Sequence, residues 1–127
     1  MSAEIASRNE GGLLIIKTSG TIKDIGWVTF SKRLYEVVAR HGCTRIIIDN
    51  SELEIPTRLI EYVNLEKYYS ECLPFEVRFI KLAVVLNSKY KESGKFWETY
   101  CNNRGFGYKA FTSMEDASAY MARFKLE

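Results

Sequence analysis

Carboxylate and hydroxyl side chains crowd one short stretch of this sequence, from Asp49 to Thr57. The carboxylates Asp49, Glu52 and Glu54 have the chemistry to hold a metal ion or to act as acid and base, and Ser51 lies among them. The alternative is structural: Asp49 accepts hydrogen bonds from backbone amides of its own loop, and both glutamates face water. A carboxylate cluster within one loop is common, so the structural interpretation is favoured.

The sequence holds a single histidine, His41, which any Ser-His-Asp or Cys-His arrangement would have to use. It precedes Gly42 at the predicted end of a helix, where the helix dipole stabilises a cation and glycine suits the left-handed position. The predicted strands around it direct their carboxyl ends elsewhere, so His41 should lie at the end of the sheet opposite the carboxylates. The sequence therefore predicts no catalytic residue and no enzyme.

Neither the cysteines nor the glycines form a binding motif. Cys43, Cys72 and Cys101 are odd in number and too widely spaced for a CxxC pair, which argues against a disulfide framework and a zinc site. The Gly-Phe-Gly at 105–107 follows a predicted helix and precedes a strand, the reverse of a dinucleotide-binding turn. The sequence thus predicts neither a cofactor nor a metal, and reduced thiols favour the cytosol.

Alternating strands and helices must position these residues. A turn at Gly11-Gly12 joins two N-terminal strands into a hairpin, and the elements then follow in the order ββαβαβαβα. The apolar runs at 46–48 and 82–86 indicate strands buried on both faces. Together these patterns predict an α/β fold: a single domain over residues 1–127, with a four- to five-stranded, mostly parallel but mixed sheet and four helices.

The stretch that opens with Asp49 should itself change from strand to loop to helix. A strand is predicted from Arg45 to Asp49, and a polar loop should follow it. Pro56 fits the first turn of a second helix that runs to about Leu73. Ligands in open α/β sheets gather beyond the carboxyl ends of the strands, so this junction is the predicted recognition site.

Composition excludes several classes of partner. The chain has 127 residues, 46% of them hydrophobic and 27% charged, with a net charge of +2. A nucleic-acid-binding domain would carry a basic stripe, and none is present. No apolar run approaches the roughly 18 residues of a membrane span, and the N-terminus lacks the pattern of a signal peptide. We therefore expect a cytoplasmic protein without nucleic-acid binding or membrane insertion.

Short motifs over nearly the whole chain follow a recognisable order: Gly-Thr-Ile at 20–22, a helix bearing Trp27, Arg-Ile-Ile-Ile-Asp at 45–49, Pro-Thr at 56–57, Arg-Phe-Ile-Lys-Leu-Ala-Val-Val at 78–85, Asn-Arg-Gly-Phe at 103–106 and Ala-Phe-Thr-Ser-Met-Glu-Asp-Ala at 110–117. In this order they resemble the small bacterial SpoIIAA-like proteins of the STAS superfamily (sulfate transporter and anti-sigma factor antagonist), a group related to the CRAL-TRIO lipid-binding fold. The resemblance implies a sheet flanked by helices, no catalysis, and a role in protein–protein regulation or small-ligand binding.

The same resemblance implies candidate phosphoacceptors. In anti-sigma factor antagonists a serine or threonine at the start of the helix after the central strand is phosphorylated. The hydroxyls in the matching segment here are Ser51 and Thr57. The family's Asp-Ser-Ser/Thr-Gly signature is absent: the sequence at 49–52 is Asp-Asn-Ser-Glu, and no glycine follows.

The predicted second helix is more aromatic than a simple amphipathic helix requires. Its Tyr62 and Tyr69, together with Asp49, Asn50 and Glu52, form the predicted recognition surface for a protein partner or a second copy of the chain. The favoured hypothesis is a non-catalytic, regulatory, protein-binding module.

The alternative is a carrier of a small apolar ligand or lipid. It is suggested by aromatic residues predicted near the strand ends: Trp27, Tyr62, Tyr69, Phe96 and Trp97.

Overall fold

The computed structural model describes residues 4–22, 26–54, 80–103, 105 and 107–124, without the side chains of residues 26–28. The predicted second helix, with Thr57, Tyr62 and Tyr69, lies outside the described residues, as does the side chain of Trp27. The described elements are β1 (Glu4–Glu10), β2 (Leu13–Thr21), α1 (Gly26–His41), β3 (Arg45–Glu54), β4 (Lys81–Leu86), a 3-10 turn (Ser88–Tyr90), α2 (Lys91–Asn103), β5 (Gly107–Phe111) and α3 (Met114–Ala122).

The five strands form one sheet in the order β1-β2-β3-β4-β5. β1 is antiparallel to β2, and every other neighbouring pair is parallel, which confirms the predicted mixed sheet. The hairpin turns at Gly11 and Gly12, whose φ angles of +59° and +88° are those of a two-residue turn that glycine adopts without steric cost. Three helices are described, and they match the first, third and fourth of the four predicted.

Apolar side chains cover both faces of the sheet. On one face, Val37 and Val38 of α1 pack over alternate residues of the three central strands: Leu14, Ile16, Ile46, Ile48, Val84 and Leu86. On the other, Ala117 and Met121 of α3 pack against Ile47, Ala83 and Val85. Burial on both faces explains why the runs in β3 and β4 are unbroken in apolar character.

The prediction that β3 ends at Asp49 is wrong. β3 continues through Glu54, because β2 also continues past Lys17 and pairs with it up to Thr21. Leu53 is then 1% exposed and packs with Ile22 and Phe30. The predicted polar loop is therefore mostly strand, and one apolar residue within it anchors this strand to α1.

Local capping signals fix the helix ends. The N–H of Gly42 donates to Val38 O at 3.0 Å, and the φ of +68° at Gly42 matches the predicted left-handed position after α1. Ser113 is the N-cap residue of α3, and its side chain accepts from the Asp116 N–H at 3.2 Å.

Candidate functional site

β3 carries one extra residue where its polar stretch begins. Lys17 pairs with Asp49 and Ser19 pairs with Glu52, so that Asn50 and Ser51 together face the single residue Thr18 across the ladder. Two residues opposite one define a β-bulge, a feature that re-aims side chains and recurs beside functional sites. We call residues 49–52 the β3 bulge.

Asp49 compensates for the ladder bond that the bulge disrupts. Its Oδ1 accepts from the backbone N–H of Ser51 at 3.0 Å and from the Ser51 hydroxyl at 2.6 Å. An extra residue in a strand is left without a ladder partner, and a buried N–H without an acceptor is costly. Asp49 therefore has the structural role favoured from the sequence, while it also fixes the hydroxyl of Ser51.

Lys17 of the neighbouring strand pairs with both carboxylates of the bulge. Its Nζ lies 3.3 Å from Asp49 Oδ2 and also forms an ion pair with Glu52. Burial raises the pKa of Asp49, but hydrogen bonds from Ser51 and then from Lys17 outweigh it, and the pKa falls below its ordinary value of 3.8. The hydrogen bond to Glu52, opposed by desolvation and supported by Asp49, raises the pKa of Lys17. At neutral pH Lys17 and Asp49 therefore carry opposite charges.

Thr18 ties the bulge to β2 from within the core. Its side chain is fully buried, and its Oγ1 lies within hydrogen-bonding distance of the Asp49 carbonyl oxygen, at 3.2 Å, and of the Asn50 side-chain amide. Asn50 is itself buried. Asn50, a predicted recognition residue, therefore packs in the interior. The members of the bulge that face outward are Ser51 and Glu52.

A second cluster lies two residues further along β3. Both carboxylate oxygens of Glu54 accept from Lys89 Nζ at 2.9 Å, and the Tyr90 hydroxyl donates to the same carboxylate at 3.1 Å. The hydrogen bond from Lys89, then that from Tyr90, lowers the pKa of Glu54. Asn87 holds the 3-10 turn that carries these residues, because its side chain accepts from the Lys89 N–H at 3.1 Å.

Sequence reasoning missed Lys17, Thr18, Lys89 and Tyr90. These residues come from β2 and from the turn after β4, and nothing near them in the sequence indicates that they face β3. Only the pairing of the strands brings them to its polar end. The available signal was the position of Lys17 and Thr18 at the end of the second predicted strand of the hairpin, since carboxyl ends of neighbouring parallel strands meet.

The other residues weighed for chemistry lie elsewhere. His41 ends α1 before β3 begins, and its Nε2 is 3.4 Å from the hydroxyl of Ser7 in β1. No group of three His, Cys, Asp or Glu side chains within the described residues has the arrangement to hold a metal ion. No helix in the part of the chain that the structure describes is long and apolar enough to cross a membrane.

The aromatic residues of α2 form a packed cluster. Trp97 and Tyr100 are buried, their ring centroids lie 5.3 Å apart, and Phe96, which is 45% exposed, meets Trp97 edge-on at 5.1 Å. A cavity of about 310 Å³ opens nearby at the ends of β4 and β5. Its charged lining residues are Lys91, Lys95, Lys109, Glu98 and Asp116. Because this lining is strongly charged, an apolar ligand stays a prediction without support from the described residues.

Solved structures that share this fold include the following two. The chain is similar to an anti-sigma factor antagonist from Mycobacterium paratuberculosis, with 16% identity, 95% of each chain covered and a TM-score of 0.63. It is also similar to an uncharacterised protein from Shewanella loihica described as having a SpoIIAA-like fold, with 15% identity, 94% of this chain and 93% of that chain covered, and a TM-score of 0.57. These likenesses confirm the SpoIIAA-like fold that the sequence motifs predict.

Sequence comparison adds nothing to this result: no protein-family model matches the chain, and no curated protein matches it.

Proposed function

We propose that this chain is a non-catalytic regulatory module of the cytoplasm that binds a protein partner at the carboxyl end of its sheet. The observation that carries this proposal is the 2.6 Å hydrogen bond from the Ser51 hydroxyl to Asp49 Oδ1 in the β3 bulge. The bond holds a modifiable hydroxyl at the end of the sheet where open α/β folds bind their ligands. An anti-sigma factor antagonist with the same fold supports a protein as the partner.

The electrostatics around Ser51 favour binding over catalysis. A nucleophilic serine needs a general base whose pKa lies near the working pH. The pKa of Asp49 lies below 3.8, since the hydrogen bonds from Ser51 and Lys17 outweigh the effect of burial, so Asp49 is a weak base at neutral pH. His41, the one histidine of the sequence, contacts Ser7 of β1 instead.

Phosphorylation of Ser51 would give this surface a switch. A phosphoryl group adds a charge of about −1.5 to −2 at neutral pH. It would lie beside the carboxylates of Asp49 and Glu52, which already share the cation of Lys17. The modified Oγ can no longer donate to Asp49, so the bulge loses a hydrogen bond as it gains negative charge. A partner fitted to the neutral hydroxyl would then dissociate.

Affinity capture with matched variants tests the proposal. Immobilised wild type, Ser51→Ala, Ser51→Glu and Ser88→Glu are each incubated with a lysate of the source organism, and the retained proteins are quantified by mass spectrometry. Ser88 is exposed beyond the carboxyl end of β4, so Ser88→Glu adds the same charge at the same end of the sheet but outside the bulge.

We expect a protein that wild type, Ser51→Ala and Ser88→Glu retain and that Ser51→Glu retains about tenfold less, because charge placed against a fitted surface is strongly unfavourable. Circular dichroism and thermal unfolding of each variant show whether the fold is intact. If wild type and all three variants fold and no retained protein distinguishes Ser51→Glu from Ser88→Glu, then Ser51 does not control a partner and the proposal is wrong.

Thr57 is the second candidate phosphoacceptor, and it lies outside the described residues together with Tyr62 and Tyr69. A phosphate at a helix start would be stabilised by free backbone N–H groups and by the helix dipole. Thr57→Glu in the same capture experiment separates the two positions. A loss of partner with Thr57→Glu alone would assign the switch to Thr57, and a loss with Ser51→Glu alone would assign it to the β3 bulge.

A further inference from the structure

The two edge strands of the sheet, β1 and β5, differ in the hydrogen bonding of their outward backbone groups. Those of β5 are bonded to side chains of α2. The Ala110 N–H donates to Glu98 Oε2 at 2.8 Å. The Tyr108 N–H donates to Asn102 Oδ1 at 3.4 Å, and the Asn102 amide donates back to the Tyr108 carbonyl at 3.2 Å. Side chains of α2 thus occupy the outward backbone groups of β5, which closes this edge to a further strand.

Among the residues that the structure describes, β1 presents an open edge. The two-residue turn makes Glu10 and Leu13 a hydrogen-bonded pair, and such pairs alternate along an antiparallel ladder. Consequently Ile5, Ser7 and Asn9 direct their backbone N–H and C=O groups away from β2. Within residues 4–22, 26–54, 80–103, 105 and 107–124, no group hydrogen-bonds to these outward backbone atoms.

We infer that β1 pairs antiparallel with β1 of a second copy of this chain, with Ala6 facing Ala6 at the two-fold axis. Residues with outward backbone groups must face one another, so Ile5 pairs with Ser7 of the second copy. In this register Glu4 faces Arg8 of the second copy, and symmetry repeats that ion pair. Hydrogen bonds between the backbone groups stabilise the pairing, and the ion pairs determine its register.

Charge disfavours the registers centred on Ser7 and on Arg8. Centring the pair on Ser7 would place Glu4 opposite Glu10 of the second copy twice, and centring it on Arg8 would place arginine opposite arginine. Like charges directly opposite are destabilising in a sheet. Glu4 has no ion pair among the described residues. Arg8 uses its Nε for Glu10 at 2.7 Å, which leaves both terminal nitrogens for Glu4 of the second copy.

The flank of β1 has room for an added strand. A groove of about 610 Å³ follows this edge and runs between β1 and α1. Its lining includes the apolar side chains of Ile5 and Val37 and the charged side chains of Arg33, Glu36 and Arg40. Side chains of a second β1 that point towards α1 would extend over Ile5, which is half-buried in the isolated chain.

This pairing is separate from the proposed function, because Ser51 lies on β3 and β2 separates that strand from β1. Ser51→Glu should leave self-association unchanged, and loss of self-association should leave Ser51-dependent partner capture intact. Failure of one therefore does not imply failure of the other.

Sedimentation velocity over a range of concentrations tests the inference with wild type, Glu4→Arg, Arg8→Glu and the Glu4→Arg/Arg8→Glu double variant. We expect wild type to form a concentration-dependent dimer. Each single variant should weaken it about tenfold or more, since both symmetric ion pairs become repulsive, and the double variant should restore it. The double variant can restore the dimer only if positions 4 and 8 of the two copies face each other.

Ser7→Pro provides an independent variant. Proline removes an N–H that faces solvent in the monomer, so β1 should tolerate it, but the pairing with a second copy loses a backbone donor on each side. Folding is checked by circular dichroism. A wild type that stays monomeric at high micromolar concentration would overturn the inference. So would a dimer that the folded Ser7→Pro variant retains, or one that the double variant fails to restore.

Discussion

Two lysine–carboxylate pairs lie at the same end of the sheet, on the same strand, and they differ in what surrounds them. The Asp49 side chain is 11% exposed and also accepts from the Ser51 backbone, whereas the Glu54 side chain is 58% exposed and accepts from side chains. The first pair is part of the strand's hydrogen bonding, and the second is a surface contact. The carboxylate of Asp49 thus stabilises the backbone of β3. The carboxylate of Glu54 can exchange its contacts with solvent or with a partner.

This difference distinguishes residues that stabilise the β3 bulge from residues that are available to contact a partner. Asp49 holds the bulge, so replacing it should disturb the fold together with any binding. Ser51 and Glu52 lie on the outer side of the bulge, and changes there should affect binding with less effect on the fold. Glu54 and Lys89 should contribute little to stability, because exposed ion pairs are screened and their side chains are entropically costly to order.

The largest effect is expected for Asp49→Ala. It leaves the Ser51 N–H without its acceptor and Lys17 without one of its two carboxylates, so unfolding free energy should fall by about 2–4 kcal/mol in urea titrations. Asp49→Asn is the matched control, since its side-chain oxygen still accepts from the Ser51 N–H, and it should lose about half as much or less. Equal losses for the two variants would show that the backbone hydrogen bond is unimportant.

Thr18→Val is expected to have the next largest effect. Valine preserves the shape of the side chain but removes the buried hydroxyl from Asn50 and the Asp49 carbonyl, so unfolding free energy should fall by about 1–2 kcal/mol. Thr44→Val, at an exposed threonine before β3, is the control and should change it by less than about 0.5 kcal/mol. A Thr18→Val protein as stable as Thr44→Val would contradict the role of Thr18 in the bulge.

The pH dependence should distinguish Asp49 from an ordinary carboxylate. Its folded-state pKa lies below 3.8, so the ionised form contributes stability above the unfolded-state pKa and loses it as pH falls through the folded-state pKa. Urea titrations between neutral pH and about pH 2.5 should therefore show wild type losing more stability than Asp49→Asn. Parallel curves for the two proteins would rule out this linkage.

The smallest effect is expected for Glu54→Gln. The substitution removes an exposed ion pair with Lys89, so the urea midpoint should barely move in low salt. The remaining difference should vanish at about 1 M salt, where the screening length is about 3 Å. A midpoint shift as large as that of Asp49→Ala would erase the distinction between the two carboxylates.

Local patterns were sufficient for most of the fold. The apolar runs of β3 and β4, the glycine turn of the hairpin and the glycine after α1 each determine their element through short-range chemistry, and the structure has them as predicted. The end of β3 was mispredicted because the polar residues after Ile48 have the composition of a loop. Their strand conformation depends on pairing with β2, a contact about 30 residues away in the chain.

The candidate site was half predictable. Asp49 and Ser51 stand out in the sequence because a short polar stretch follows a buried strand. The bulge itself was not predictable, since it exists only relative to the register of β2, and its partners Lys17 and Thr18 are typical of any strand end. The same holds for Lys89, which reaches Glu54 only because β4 pairs beside β3.

The most direct test of the bulge is a pH titration of the Ser51 amide in ¹⁵N–¹H correlation spectra of wild type and Asp49→Asn. Because the Ser51 N–H donates to Asp49 Oδ1, its chemical shift should report the ionisation of that carboxylate. We predict a midpoint below 3.8 in wild type and no such transition in Asp49→Asn. A Ser51 amide that does not titrate, or that titrates at or above 3.8, would contradict the claim that Asp49 closes the bulge and holds Ser51.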